Sequence, residues 1–183
     1  MKKIAIIAAM GTAFAIAGVQ AAGNGTINFT GNVTNQTCNA TVGNATTGTP
    51  ASVTLPTVQA NVLAAAGNTA GQTAFNIAVT GCLGTNPANA GTVKAFFEKG
   101  ASVDANGRLT NQTAGGASNV VLQLVDGTGN SPINVGDATQ NTGNFTAITT
   151  GSATIPYTVR YFATGAATAG AVTSNVTYSL IYN

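Results

Sequence analysis

Histidine and tryptophan are missing, and charge is nearly so: six Lys or Arg and four Asp or Glu make up 5% of 183 residues. Without histidine the chain lacks the usual general base and the commonest metal ligand. Ser and Thr are plentiful, but nothing stands ready to activate them as nucleophiles. One Glu and three Asp remain, with no G-x-S-x-G and no glycine loop of the kind that cradles phosphates. Asp104, Asp126 and Asp137 each lie beside or close to Gly or Asn, where turn capping is their default role. The expectation is a chain with no catalytic residue, no cofactor and no metal.

The charges are also placed unevenly. Lys2 and Lys3 precede an apolar, small-residue run from Ile4 to Val19, and Val19-Gln20-Ala21 then offers small residues where a signal peptidase reads. Residues 1–22 are therefore expected to be a signal peptide, cut after Ala21 or Ala22, that exports the chain. The run is short and Ala/Gly-rich for an uncleaved membrane anchor. Removal leaves 161 or 162 residues, enough for one domain. Lys94, Lys99, Arg108 and Arg160 then face four acids, so net charge falls to zero. No basic face is left to follow a phosphate backbone, which excludes nucleic acid as a partner. A neutral Asn/Thr/Ser/Gly surface does little to oppose self-association, which suits a polymer better than a soluble monomer.

Cysteine is scarce as well. Cys38 and Cys82 stand 44 positions apart, with no C-x-x-C pair. In an exported chain they most simply form one disulfide, and closing such a loop is worth roughly 4 kcal/mol in the chain-entropy treatment.

What the sequence does contain is period-two alternation, broken by Gly, Asn, Pro and Thr clusters. Strands are expected at Gly25 to Val33, Asn35 to Val42, Thr73 to Thr80, Val93 to Phe97, Val120 to Val125, Thr154 to Phe162 and Val172 to Tyr182. Shorter extended pieces are expected at Ser52 to Leu55 and Ile133 to Val135, and a single helical turn at Val62 to Ala66. This is the pattern of an antiparallel sandwich, not of βαβ units. In the last strand Val172, Ser174, Val176, Tyr178, Leu180 and Tyr182 share one face, and its far edge is expected either to be covered or to stay open to another chain.

Three stretches together resemble the pilin subunits of chaperone–usher fimbriae, type 1 major subunits above all. They are GTINFTGNVTNQTC (Gly25 to Cys38), FNIAVTGC (Phe75 to Cys82) and IPYTVRYFATGAATAGAVTSNVTYSLIYN (Ile155 to Asn183). The last includes the glycine fourteenth from the end, Gly170, and the penultimate aromatic, Tyr182.

The resemblance implies an all-β, immunoglobulin-like sandwich of six strands lacking its seventh, over residues 35–183, preceded by a donor-strand extension at 23–34. It implies that Ile27, Phe29, Gly31 and Val33 enter a groove in a neighbouring subunit, lined by Gly170, Val172, Val176, Tyr178, Leu180 and Tyr182. A periplasmic chaperone fills that groove first, an outer-membrane usher guides the exchange, and the product is a head-to-tail fimbria of identical or related subunits on the cell surface. Each large donor side chain contributes roughly 1.5–3 kcal/mol when buried. Lys94 and Arg160 are candidates for contacts between turns of the rod. Two alternatives stand beside this reading: a minor adaptor or tip pilin of the same system, and a small outer-membrane β-barrel, against which the lack of an aromatic girdle counts.

Overall fold

The computed structural model describes residue 28 and residues 37–43, 50–83 and 91–183. Residues 34–183 form one compact unit. Within the described part, eight strands run in chain order: β1 Thr37–Val42, β2 Thr69–Leu83, β3 Thr92–Phe97, β4 Leu109–Thr110, β5 Val120–Asp126, β6 Thr146–Ala147, β7 Ala153–Ala163 and β8 Tyr178–Tyr182. Six have five residues or more; β4 and β6 are two-residue pieces that the alternation did not announce. One sheet has the order β1-β2-β7-β5-β4 and the other β6-β3-β8, with every ladder antiparallel. Two open sheets replace the single closed sheet that a barrel would need.

The inward faces follow from the alternation. Ile77 and Val79 on β2, Val93 and Ala95 on β3 and Tyr157 on β7 are at most 1% exposed, and Leu124 on β5 is buried in the same cluster. Phe97 meets the ring of Tyr157 edge-on, with centroids 5.0 Å apart and planes at 81°, the arrangement that ring quadrupoles favour. The disulfide joins Cys38 on β1 to Cys82 on β2 across the sheet's outer ladder.

Several element boundaries depart from the sequence reading for identifiable reasons. β2 begins four residues earlier than expected because a bulge inserts one residue between Ala70 and Thr73, keeping the ladder to β7 in step. Gly71 makes that bulge at φ +64°, and a Cβ there would lie 2.7 Å from the ring of Tyr161. The helical turn is a 3-10 segment at Ala60–Leu63, two residues ahead of the expected start. Ile133 to Val135 is not a strand. Its amides are used singly instead, Ile133 N–H donating to Leu124 C=O and Val135 N–H to Gly107 C=O.

The last strand is the most informative departure. Regular pairing holds only over Tyr178–Tyr182, although the half-buried/exposed alternation runs from Val172 to Leu180. β3 ends at Phe97, so no regular partner lies alongside residues 171–177.

Candidate functional site

Along the C-terminal segment the two edges differ. Thr92 and Asn183 exchange both backbone hydrogen bonds, at 2.8 and 3.0 Å. In an antiparallel ladder this alternates, so Ile181 and Ser179 also turn their backbone groups toward β3. Thr177 C=O continues the series by accepting from Glu98 N–H at 2.9 Å. Past the end of β3, irregular partners take over: Ser102 Oγ donates to Asn175 C=O at 2.7 Å, Gln112 N–H to Thr173 C=O at 2.7 Å, and Ala117 N–H to Ala171 C=O at 3.0 Å. Every odd-numbered residue from 171 to 183 is thus engaged on one side. The even-numbered ones, Val172 to Tyr182, direct their backbone groups to the other side, where among the described residues no strand pairs with them. That is an open edge six paired positions long.

Beside this edge lies a cleft of about 650 Å³. One wall is Ser174, Val176 and Tyr178; the other is Ala40 and Val42 of β1 with Val53 and Leu55. The floor is the core itself, including Phe75, Ile77, Phe97, Leu122, Leu124 and Val159. Residues 50–58, which supply Val53 and Leu55 to the far wall, belong to no strand and make no backbone hydrogen bond to another described residue. Both walls therefore offer unpaired backbone above hydrocarbon, the arrangement that accepts an added strand. Partial burial raises the phenol pKa of Tyr178 and of Tyr182 above the ordinary value, so both stay neutral at physiological pH.

A clamp holds the entry of the segment. The Asn111 side chain uses all four of its hydrogen-bonding positions: Nδ2 donates to Ala117 and Ala171 carbonyls at 2.9 Å, and Oδ1 accepts from Thr113 and Thr173 amides at 3.0 Å. Gly170 packs its backbone on the same loop. A Cβ on Gly170 would lie 2.6 Å from the Gly116 carbonyl carbon and 2.9 Å from Ala117 Cα, so the requirement for glycine here is close backbone approach.

Of the groove residues expected from sequence, Val172, Val176, Tyr178, Leu180 and Tyr182 all pack half-buried against the core, on one face. Val176 and Tyr178 line the cleft directly. Gly170 sits at the clamp rather than in the cleft wall. Ile27, Phe29, Gly31 and Val33 lie outside the described residues; of their segment only Asn28 is described, and it is exposed. The three aspartates cap turns as expected: Asp104 Oδ1 accepts from Asn106 and Arg108, Asp126 Oδ1 from Thr128 and Gly129, and Asp137 Oδ1 from Thr139. The Thr139 hydroxyl and amide hold the Asp137 carboxyl below its usual pKa. Lys94 is not a free surface cation: it is 7% exposed and its Nζ donates to Thr142 C=O at 3.0 Å. Arg160 is half-buried and spends Nε and an Nη on Gln123 Oε1. Sequence reasoning missed Asn111 and the far wall at Val53 and Leu55. Asn111 leaves no signal in its neighbours, whereas Val53 and Leu55 show the alternation of a strand without a partner.

Among the described residues the domain is thus an all-β sandwich whose C-terminal strand leaves one sheet edge unpaired beside an apolar cleft. The sequence profile of the type-1 fimbrial protein A family matches residues 55–183, and the chain belongs to that family. It is 44% identical over 173 residues to the major fimbrial subunit SMF-1 of Stenotrophomonas maltophilia, covering 88% of this chain and 94% of that one. It is 41% identical over 161 residues to the F17 fimbrial protein of Escherichia coli, covering 87% of each. Among solved structures, the type I fimbria protein BPSL1626 of Burkholderia pseudomallei superposes with a TM-score of 0.54 at 30% identity, over 80% of this chain and 99% of that one. The P pilus rod subunit PapA has the same fold, with a TM-score of 0.57 at 17% identity over 79% and 99% of the two chains. The protein is accordingly a structural subunit of a surface fimbria, with an immunoglobulin-like fold.

Proposed function

We propose that the cleft takes an extended strand, residues Gly25 to Val33 of a second copy, and that repetition of this step builds the fimbria. One observation carries the reading: the unpaired backbone of the even-numbered residues 172–182 borders a cleft whose floor is the apolar core. Ile27, Phe29 and Val33 alternate with polar residues, so one face covers that floor while Asn28, Thr30 and Asn32 look outward. Residues 50–58 supply a second edge, so the added strand pairs on both sides and joins the sheets. A subunit that gives one strand and receives one makes a head-to-tail contact that does not close, hence a filament. Before assembly the same open edge needs a temporary partner, which is the place of a periplasmic chaperone, with an outer-membrane usher exchanging it for the next subunit. Export by a leader at 1–22 brings the chain to that compartment.

Deleting residues 23–34 tests this. The expected outcome is a subunit that still folds and is recovered with its chaperone but forms no filaments. Failure to fold in that complex would mean that the segment completes its own domain, and the reading would fall.

A further inference from the structure

The outer face of the larger sheet holds two arginines side by side. Gln123 on β5 opposes Arg160 on β7, and Val121 opposes Phe162. Arg108 precedes β4, whose Leu109 opposes Leu122 of β5. From there its side chain crosses β5 and sets the guanidinium over the Phe162 ring, 3.9 Å from the centroid. Arg160 and Phe162 share that face of β7, about 7 Å apart along the strand, so the two guanidiniums are neighbours. Both are held in place. The aromatic face attracts Arg108, while Arg160 donates through Nε and Nη2 to Gln123 Oε1 at 3.0 and 2.7 Å, and Gln123 itself is only 6% exposed. Among the described residues neither guanidinium has a carboxylate partner, and Arg108 Nε is buried with no hydrogen bond at all. Asp104 accepts from the Asn106 and Arg108 amides, Asp126 and Asp137 cap their own turns, and Glu98 accepts from Ser179 Oγ at 2.7 Å.

Two like charges fixed next to each other favour an anion between them, and the planar fork of a guanidinium suits a two-oxygen carboxylate. The cleft lies over the inward face of the same strands, with Leu122, Leu124 and Val159 in its floor, so an added strand does not cover the arginines. We infer that Arg108 and Arg160 form a carboxylate-binding site, and that its ligand is an acidic polysaccharide outside the fimbria, one that repeats a uronate carboxylate along its chain. The subunit's own side-chain carboxylates are each engaged within the chain, which argues against a second copy as the occupant. A fimbria presents one such site per subunit. A chain of carboxylates engages many of them at once, so contacts that are weak singly add up to firm retention.

Filaments of the full chain passed over immobilised polygalacturonate, and over its uncharged methyl ester, test this. Retention by the acid polymer and not by the ester is expected. Arg108→Gln and Arg160→Gln filaments are each expected to bind about tenfold less or weaker still, whereas Lys99→Gln, which removes an exposed cation elsewhere, leaves binding unchanged. Equal losses from all three would reduce the effect to total charge and overturn the site. Arg108→Lys and Arg160→Lys keep the charge without the fork and stand in for a Gln variant that does not assemble. Both are expected to lose binding; retention equal to the parent filaments would overturn recognition by the fork. No retention of the parent filaments would overturn the proposal outright. Displacement by duplex DNA at equal anion concentration would make the occupant a phosphate and overturn the saccharide assignment. Arginine variants that disrupt the filaments themselves yet still bind the polymer would assign the pair to a contact between subunits instead.

Discussion

Gln140 meets Phe97 as a neighbouring strand would: its Oε1 accepts the Phe97 N–H at 3.0 Å and its Nε2 donates to the Phe97 C=O at 3.1 Å. A few residues along β3, the Tyr157 hydroxyl performs a similar service for Ala95, accepting its N–H at 3.1 Å. The edge of β3 beyond β6 is therefore closed by side chains, while among the described residues no strand pairs with the outer edge of β8.

Gln140→Leu keeps the volume but leaves the Phe97 N–H buried without an acceptor, while its carbonyl retains the Gly136 amide at 3.0 Å. One orphaned donor costs about 1–3 kcal/mol. Thermal unfolding of the purified protein is expected to show that loss, and an unchanged midpoint would mean that water reaches Phe97.

Gly170→Ala acts at the clamp. The added methyl meets backbone of Gly116 and Ala117 rather than a movable side chain, so relief requires the 111–117 loop to shift. Overpacking of this kind costs about 1–3 kcal/mol. The expected result is reduced recovery of filaments together with faster hydrogen exchange at Ala117 and Thr173, whose amides the clamp holds. Normal exchange at both would remove the clamp from the account.

Alkaline pH provides a third test. Burial pushes the Tyr157 phenol from 10.0 up to about 12, with the Ala95 hydrogen bond opposing part of that rise. Between those values the unfolded chain has released the proton and the folded one still holds it, so stability is full below pH 10 and falls as pH climbs toward 12. Tyr161, Tyr178 and Tyr182 are raised in the same direction by burial. Tyr157→Phe is expected to lower stability at neutral pH by about 1–3 kcal/mol, through the orphaned Ala95 amide, and to flatten the alkaline decline without abolishing it. An equally steep decline in the variant would show that Tyr157 does not titrate out of step with the unfolded chain.

Where alternation is strong and partners are regular, the sequence could be read closely: Phe75, Ile77 and Val79 face the core as the period-two pattern requires. The two-residue strands β4 and β6 are too short to have a period. The bulge at Gly71 hides in what looks like a loop, because an extra residue interrupts alternation without ending the ladder. The inward face of the C-terminal segment was legible from Val172 onward, but the manner of its attachment was not. Asn111, Ser102 and Gln112 hold it through contacts more than 60 positions away in sequence, and no local pattern encodes such a distance. Lys94 shows the converse error: a lysine on an outward strand position looks solvated, yet the 138–142 turn folds over it and supplies Thr142 C=O.

Phe29→Asp separates folding from assembly. On the strand-addition reading Phe29 is solvent-facing in a lone subunit and buried in the next subunit's cleft after exchange. The substitution forfeits about 1.5–3 kcal/mol of burial and forces a carboxylate against an apolar floor with no cation nearby, a further cost of several kcal/mol. The expected outcome is loss of filaments by electron microscopy with the subunit still recovered folded. Asn28→Asp or Thr30→Asp places the same charge on the outward face of the same segment and is expected to assemble. If all three variants assembled alike, no face of the segment would be buried; if all three failed, charge on the segment rather than the identity of its inward row would be the cause.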